Sequence, residues 1–399
     1  MASGGKTHTA KQLSKARKTP MRFHVVSLPN TQTTLDYEAC AYTAKVRKFC
    51  NMMKSLGHEV FLYASEENEA ACDELVTIAS KHDQLKWFGE QDLSGFFNIS
   101  WGVEDEHWQV TNTRAIKEID KRLKPRDFIC LIGGLCQKQI ADAFPQAMSV
   151  EYGIGYSGVF AKYKVFESYA WMHYLYGVSR DDNGQFYDAV IPNYFEPDKF
   201  ELRDHKDNYF LFLGRLIPRK GPEIAVEVTR RLGAKLVLAG QGVKEVRGNS
   251  IVGEGLTLTG EHILHVGHAD VAKRRELLAG AKAVIMGTTY LEPFGGVSIE
   301  SLLSGTPVIA TDFGVFPENI RHGEHGYRFR TVGEAVWAAQ NVDKLQPKKL
   351  RNYAVENFSV DRVRFQYQAY FEQLLSLYDR GFYTSEDNGV SVYERYKHA

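Results

Sequence analysis

Two carboxylates flank a double glycine in Glu292-Pro-Phe-Gly-Gly-Val-Ser-Ile-Glu300, a segment that follows an apolar strand and a threonine-rich loop. Adjacent glycines let backbone approach a ligand closely, and the free N–H groups at a helix start attract phosphate. Glu292 in the loop could then hold sugar hydroxyls, and Glu300 inside the helix could chelate a ribose diol. The plain alternative makes Glu292 a surface loop residue and Glu300 a helix N-terminal charge favoured by the dipole. A second segment, Leu213-Gly-Arg-Leu-Ile-Pro-Arg-Lys-Gly221, again reads as strand, glycine turn and helix start. After the turn at Gly214, Arg215 and Lys220 could clamp a diphosphate, the arginine as a planar fork and the lysine as a point charge. Solvated surface cations are the alternative, although cations near a helix N-terminus oppose its dipole and so suit a bound anion better than helix stability.

Such residues need a scaffold, and the chain spells one out. Arg22 to Leu28 is a short β-rich run, and Tyr42, Val46, Phe49, Met53 and Leu56 form one apolar helical stripe that Gly57 stops. Glu59 to Tyr63 reads as the next strand, which completes a βαβ unit of a parallel sheet. The alternation resumes at Phe128 to Ile132 and Met148 to Val150, while residues 85–112 show no periodicity that assigns them. After Ile191-Pro-Asn193 it restarts with Tyr209 to Leu213, a helix opened by Pro222, and strands at Lys235 to Ala239, Ala283 to Met286 and Pro307 to Ala310. Val363, Tyr367, Tyr370, Phe371, Leu374 and Tyr378 make an amphipathic last helix. The pattern predicts an α/β protein of two doubly wound domains with a cleft between them, where strand carboxyl ends bind ligands.

The two charged segments, with His265-Val-Gly-His268 between them and Asp312-Phe-Gly-Val-Phe-Pro-Glu318 after, resemble the large retaining GT-B glycosyltransferase family of bacterial mannosyl- and glucosyltransferases. The resemblance spans residues 190–345. It implies two Rossmann-like domains facing a cleft, with the last helix crossing back to the first. It also implies transfer of a sugar from a nucleotide-diphosphate sugar to an acceptor hydroxyl. Glu292 would contact the donor sugar, Glu300 the ribose, and Arg215 and Lys220 the leaving diphosphate, with no metal and no cofactor beyond the donor. Gly214 and the backbone of Phe294, Gly295, Gly296 and Val297 would complete the donor site, with the base near Gly267 and His268. The first domain departs from the pattern: the loop after its first strand reads Pro29-Asn-Thr-Gln-Thr-Thr34, without the family's two glycines. Val150-Glu-Tyr-Gly-Ile-Gly-Tyr156 likewise lacks the family's histidine beside the donor sugar. Thr33, Glu151, Tyr156 and His173 are the acceptor-side candidates, His173 having the alternative of a core histidine among aromatics. An NDP-sugar epimerase and a non-catalytic sugar-nucleotide-binding scaffold are the rival readings.

Composition narrows the rest. Lysine plus arginine equals aspartate plus glutamate at 49 each, so no global field draws the chain to nucleic acid or anionic lipid. The five cysteines are irregularly spaced, which points to reduced thiols rather than a disulfide framework. No run approaches the roughly 18 apolar residues of a membrane span, so stable membrane insertion is not expected and a cytoplasmic location is. Four segments are expected: a disordered basic tail (1–20), an acceptor-side domain (21–200), a nucleotide-sugar domain (201–358) and a C-terminal helix returning to the first domain (359–399). The first domain resembles glycosyltransferases of bacteriophages, some of which decorate hydroxymethylated bases in DNA. That adds DNA to a glycan, a lipid-linked sugar and a small metabolite as acceptors. Cations at 6–22, Lys121 to Arg126 and Lys348 to Arg351 would suit DNA, or be solvated faces, and Tyr152, Tyr156 and Trp171 would stack on a flipped base, or be core.

Overall fold

The computed structural model describes residues 20–93, 97–185 and 187–377; the basic tail to Thr19 and Tyr378 lie outside the described residues. The first domain is built on seven parallel strands: β1 (Arg22–Val26), β2 (Glu59–Ser65), β3 (Glu74–Ala79), β4 (Phe128–Leu131), β5 (Met148–Ile154), β6 (Tyr163–Phe166) and β7 (Asp188–Val190). They lie in the order β3-β2-β1-β4-β5-β6-β7, all pairs parallel. Helices α1 (Ala41–Ser55), α2 (Lys81–Phe88), α3 (Glu106–Asp120), α4 (Lys138–Ala143) and α5 (Tyr169–Ser179) connect them. The stripe on α1 buries Val46, Phe49 and Met53 against the sheet.

The second domain repeats the plan with β8 (Phe210–Leu213) and β9 (Leu236–Ala239), an antiparallel insertion of β10 (Val243–Arg247), β11 (Ser250–Gly253) and β12 (Thr257–Thr259), then β13 (Ile263–His265), β14 (Ala283–Met286), β15 (Val308–Thr311) and β16 (Gly326–Phe329). Its parallel sheet runs β13-β9-β8-β14-β15-β16. Helices α6 (Pro222–Leu232), α7 (Val271–Gly280), α8 (Gly296–Leu303), α9 (Phe316–Asn319), α10 (Val332–Asn341) and α11 (Pro347–Phe358) accompany it, and α12 (Val360–Leu377) follows. Strands β8, β9 and β14 are buried throughout, as expected of parallel strands covered on both faces.

The chain changes cores between Tyr194, which packs in the first domain, and Phe195, which packs in the second. It returns through α12, whose Val363, Tyr367, Phe371 and Leu374 lie in the first domain's core. Phe371 sets its ring edge-on to Phe23 and Phe128 at 4.7 and 4.8 Å. All five cysteines are free thiols. No described helix is long and apolar enough to cross a membrane.

Candidate active site

The two charged segments meet at the carboxyl ends of β8 and β14. Lys220 donates to both carboxylate oxygens of Glu292 at 2.8 Å and to the Tyr290 hydroxyl at 3.0 Å. Burial pulls the Lys220 pKa down, but the Glu292 carboxylate and Tyr290 more than offset this and hold the ammonium above the ordinary lysine range. The site therefore keeps a fixed positive charge at neutral pH. Arg219 and Lys220 both stand over the Tyr290 ring, 4.6 and 5.0 Å from its centre. Arg215 is half-buried at the end of β8.

Downstream, Gly295 takes the left-handed conformation (φ 70°) and starts α8, whose N-terminus no side chain caps. That leaves first-turn N–H groups aimed out of the helix where an anion can accept from them. Phe294 is buried and stacks on Phe195 at 6.2 Å, and its carbonyl accepts from Asn319 at 2.7 Å, so the turn stands on a packed floor. Glu300, inside α8, accepts from Arg274 of α7 at 2.6 Å. Sequence reasoning missed Arg274, because only the fold brings α7 beside α8. Three glycine loops close the other side: the Gly240 N–H donates to the Gly267 carbonyl at 2.9 Å, and a Cβ on Gly240 would collide with the Gly214 carbonyl. His268 is exposed beyond Gly267.

The acceptor-side candidates fare differently. Thr33 is fully buried, its hydroxyl donating to Asn68 at 2.8 Å. Residues 29–33 of its loop are buried in the domain, held by Thr31–Thr43 and Gln32–Gln84 hydrogen bonds. Glu151 is also fully buried, and it accepts from the Phe160 and Ala161 amides at 2.8 Å and from the Tyr156 hydroxyl at 3.2 Å. Burial raises its pKa, which those three donors oppose. Both side chains are fully buried, with their hydrogen bonds made to neighbouring loop residues. Tyr152 is core, 4.2 Å from Phe49. Trp171 is half-buried and donates to the Tyr156 carbonyl, whereas His173 is exposed on α5, 6.1 Å from Tyr169.

The first domain meets the motif through the start of α5. Ser168 donates to the Pro293 carbonyl at 2.6 Å, and the Tyr169 and Ala170 amides donate to Glu318 at 2.9 and 2.7 Å. A carboxylate from one domain thus caps a helix of the other, next to Glu292. Just behind, Lys45 of α1 pairs with Glu167 and donates to the Gly153 carbonyl at 2.9 Å. A lysine on the apolar stripe of α1 was the one signal for that pair.

Residues 195–357 match the family model described as glycosyl transferases group 1. The phosphatidyl-myo-inositol mannosyltransferase of Mycobacterium tuberculosis is 30% identical over 172 residues, 40% of this chain and 44% of that protein. The chain therefore matches less than half the length of this curated relative. Among solved structures, a glycosyltransferase involved in avilamycin A biosynthesis superposes with a TM-score of 0.61 at 18% identity, covering 89% of this chain and 98% of the other. Anabaena HepE in complex with UDP and glucose gives 0.59 at 15% identity, covering 90% and 100%. Both superpositions span the two Rossmann-like domains, which have the GT-B arrangement.

Proposed function

We propose, from the match of residues 195–357 to the group 1 glycosyl transferase model and from the GT-B fold, that the protein is a retaining glycosyltransferase that moves a sugar from a nucleotide-diphosphate sugar to an acceptor hydroxyl. The observation that carries this reading is the contact of Lys220 with Glu292 beside the uncapped start of α8. It joins a cation for the leaving diphosphate, a carboxylate for sugar hydroxyls and a helix N-terminus for phosphate. As the bond from the anomeric carbon to the phosphate oxygen breaks, positive charge grows on the sugar ring and negative charge on the leaving oxygens. Arg215, Lys220 and the α8 amides stabilise the latter, which is the dominant effect in such chemistry. The acceptor oxygen attacks from the face the diphosphate leaves, and its proton passes to a leaving phosphate oxygen.

An epimerase would not use the pair of glutamates in this way, and a scaffold would not release nucleoside diphosphate. Screening nucleotide sugars for protection against thermal unfolding tests the donor, since a ligand at about 100 times its dissociation constant adds about 2.7 kcal/mol. No protection by any nucleotide sugar would overturn the reading. Excess chelator is expected to leave single-turnover transfer unchanged, because fixed cations take the place of a divalent ion. Loss of transfer with rescue by magnesium or manganese would refute that.

For the acceptor, we rank a glycan or lipid-linked sugar ahead of DNA, because three arginines of the basic clusters are already engaged. Arg122 is held by Glu74 and Glu118 at 2.6 and 2.8 Å, Arg126 donates to the Leu375 carbonyl, and Arg351 is spent on the carbonyls of Pro197, Phe200 and Leu303. Cations committed to carboxylates and carbonyls release few counterions to a phosphate backbone. Labelled transfer to hydroxymethylcytosine-containing duplex, with binding followed from about 50 to 200 mM salt, decides between them. Transfer with steep salt dependence would establish DNA instead.

A further inference from the structure

The pair formed by Lys45 and Glu167 is almost wholly buried, with 7% and 8% of the side chains exposed. Burying two charges is costly unless their geometry is good, and their replacement by apolar side chains is often neutral or better. A buried pair is therefore weakly explained by stability alone, and its placement is specific. Glu167 directly follows β6, its amide bonded to the Ile154 carbonyl. The next residue, Ser168, holds the carbonyl of Pro293, which is the neighbour of Glu292. Between Glu167 and Pro293 stands Gly155: a Cβ there would overlap the Glu167 carboxylate and lie 3.5 Å from the Pro293 side chain. The absence of a side chain at this one position leaves the carboxylate facing the motif.

The two oxygens of Glu167 differ. Oε1 takes the Lys45 ammonium, and Lys45 is itself fixed by the Gly153 carbonyl. Oε2, the oxygen on the Gly155 and Pro293 side, takes no hydrogen bond from any described residue. A desolvated carboxylate with one oxygen pinned and the other open is a strong acceptor for a neutral donor, and hydrogen bonds to charged groups are the stronger kind. A second anion would be repelled, so the phosphates belong with Lys220 and α8 and the hydroxyl-bearing sugar belongs here.

We propose that Glu167 is the first domain's contact to the transferred sugar, its Oε2 accepting a hydrogen bond from a sugar hydroxyl, with Lys45 as the residue that positions it. This rests on the nucleotide-sugar reading above. It places the first domain's sugar contact just after β6, beside β5, the strand where Glu151 is spent on loop amides.

The test compares the binding of UDP with UDP-glucose, and of GDP with GDP-mannose, to the full chain by calorimetry. The variants are Glu167→Gln and the double Lys45→Met with Glu167→Leu, which keeps the buried volume and removes both charges. The nucleoside diphosphates are expected to bind both variants as they bind the wild type, which also reports that the site is folded. The extra affinity that the sugar confers should fall about tenfold or more in each. A donor lacking the hydroxyl concerned should bind wild type and Glu167→Gln alike, a coupling that a merely structural pair would not produce. An unchanged ratio of sugar-nucleotide to nucleotide affinity in both variants overturns the assignment of Glu167 alone. Failure of the wild type to bind any nucleotide sugar of the thermal-protection screen overturns the donor reading and this assignment with it.

Discussion

Glu292→Gln is expected to lower turnover about 100-fold or more while the protein stays folded, and Lys220→Ala to do the same. Removing one preorganised charge from a transition state of this kind typically costs about 2.7 to 4 kcal/mol. Neither side chain is freely exposed, 23% for Lys220 and 12% for Glu292, so breaking the pair also costs some stability, and turnover is compared well below each variant's thermal transition. The two residues touch, so their effects should not add. Once Lys220 is gone, Glu292 loses the partner that orients both of its oxygens, and its own neutralisation removes less. The double variant should therefore retain more activity than the product of the two single losses. Near wild-type turnover in both single variants would refute the assignment, and strict additivity would refute the contact as the working unit.

Lys220 and Glu292 were legible in the sequence because each sits beside a glycine turn after a buried apolar strand, so both local signals survive without the fold. Their partners were not: Arg274 reaches Glu300 only because α7 and α8 are neighbours. The same division holds for the scaffold. Strands such as β8, β9 and β14 are buried on both faces and read as apolar runs. Helix α3 escaped because its buried face, at His107, Trp108, Thr111, Asn112, Ala115 and Ile119, is half polar. Thr111 bonds back to the His107 carbonyl and Asn112 to that of Cys136, so these side chains are satisfied inside the core although a hydrophobic stripe cannot show them. In α5 the failure is reversed: Tyr169–Ser179 is largely apolar, yet only Leu175 is buried. Apolar residues without a stripe gave no face to assign. For β10, Val243–Arg247 is an exposed ribbon in which four of five residues face water, and no apolar run marks it.

Helix α6 supplies the second large effect, because it has a left-handed glycine at each end with unlike surroundings. Gly221 (φ 66°) starts it, and a Cβ there would run into the carbonyl of Gly287. Gly233 (φ 60°) ends it, with nothing within 4 Å of such a Cβ. An alanine at either site meets the left-handed penalty of roughly 1 to 2 kcal/mol. At Gly221 it must also force two backbone segments apart, and overpacking of that sort adds roughly 1 to 3 kcal/mol. Those segments are the loops that carry the site: the Thr289 amide donates to the Arg219 carbonyl at 3.0 Å, and Lys220 and Glu292 lie on either side of that bond. Gly221→Ala should therefore lower the melting temperature by about 4 to 20 °C, against about 2 to 8 °C for Gly233→Ala and always by more than Gly233→Ala, at roughly 2 to 4 °C per kcal/mol for a domain of this size. Donor affinity measured well below the transition should fall in Gly221→Ala and hold in Gly233→Ala, since only the first displaces Lys220 from Glu292. Equal melting temperatures and equal donor affinities in the two variants would show that the loop contact at Gly287 does not set the geometry of the site.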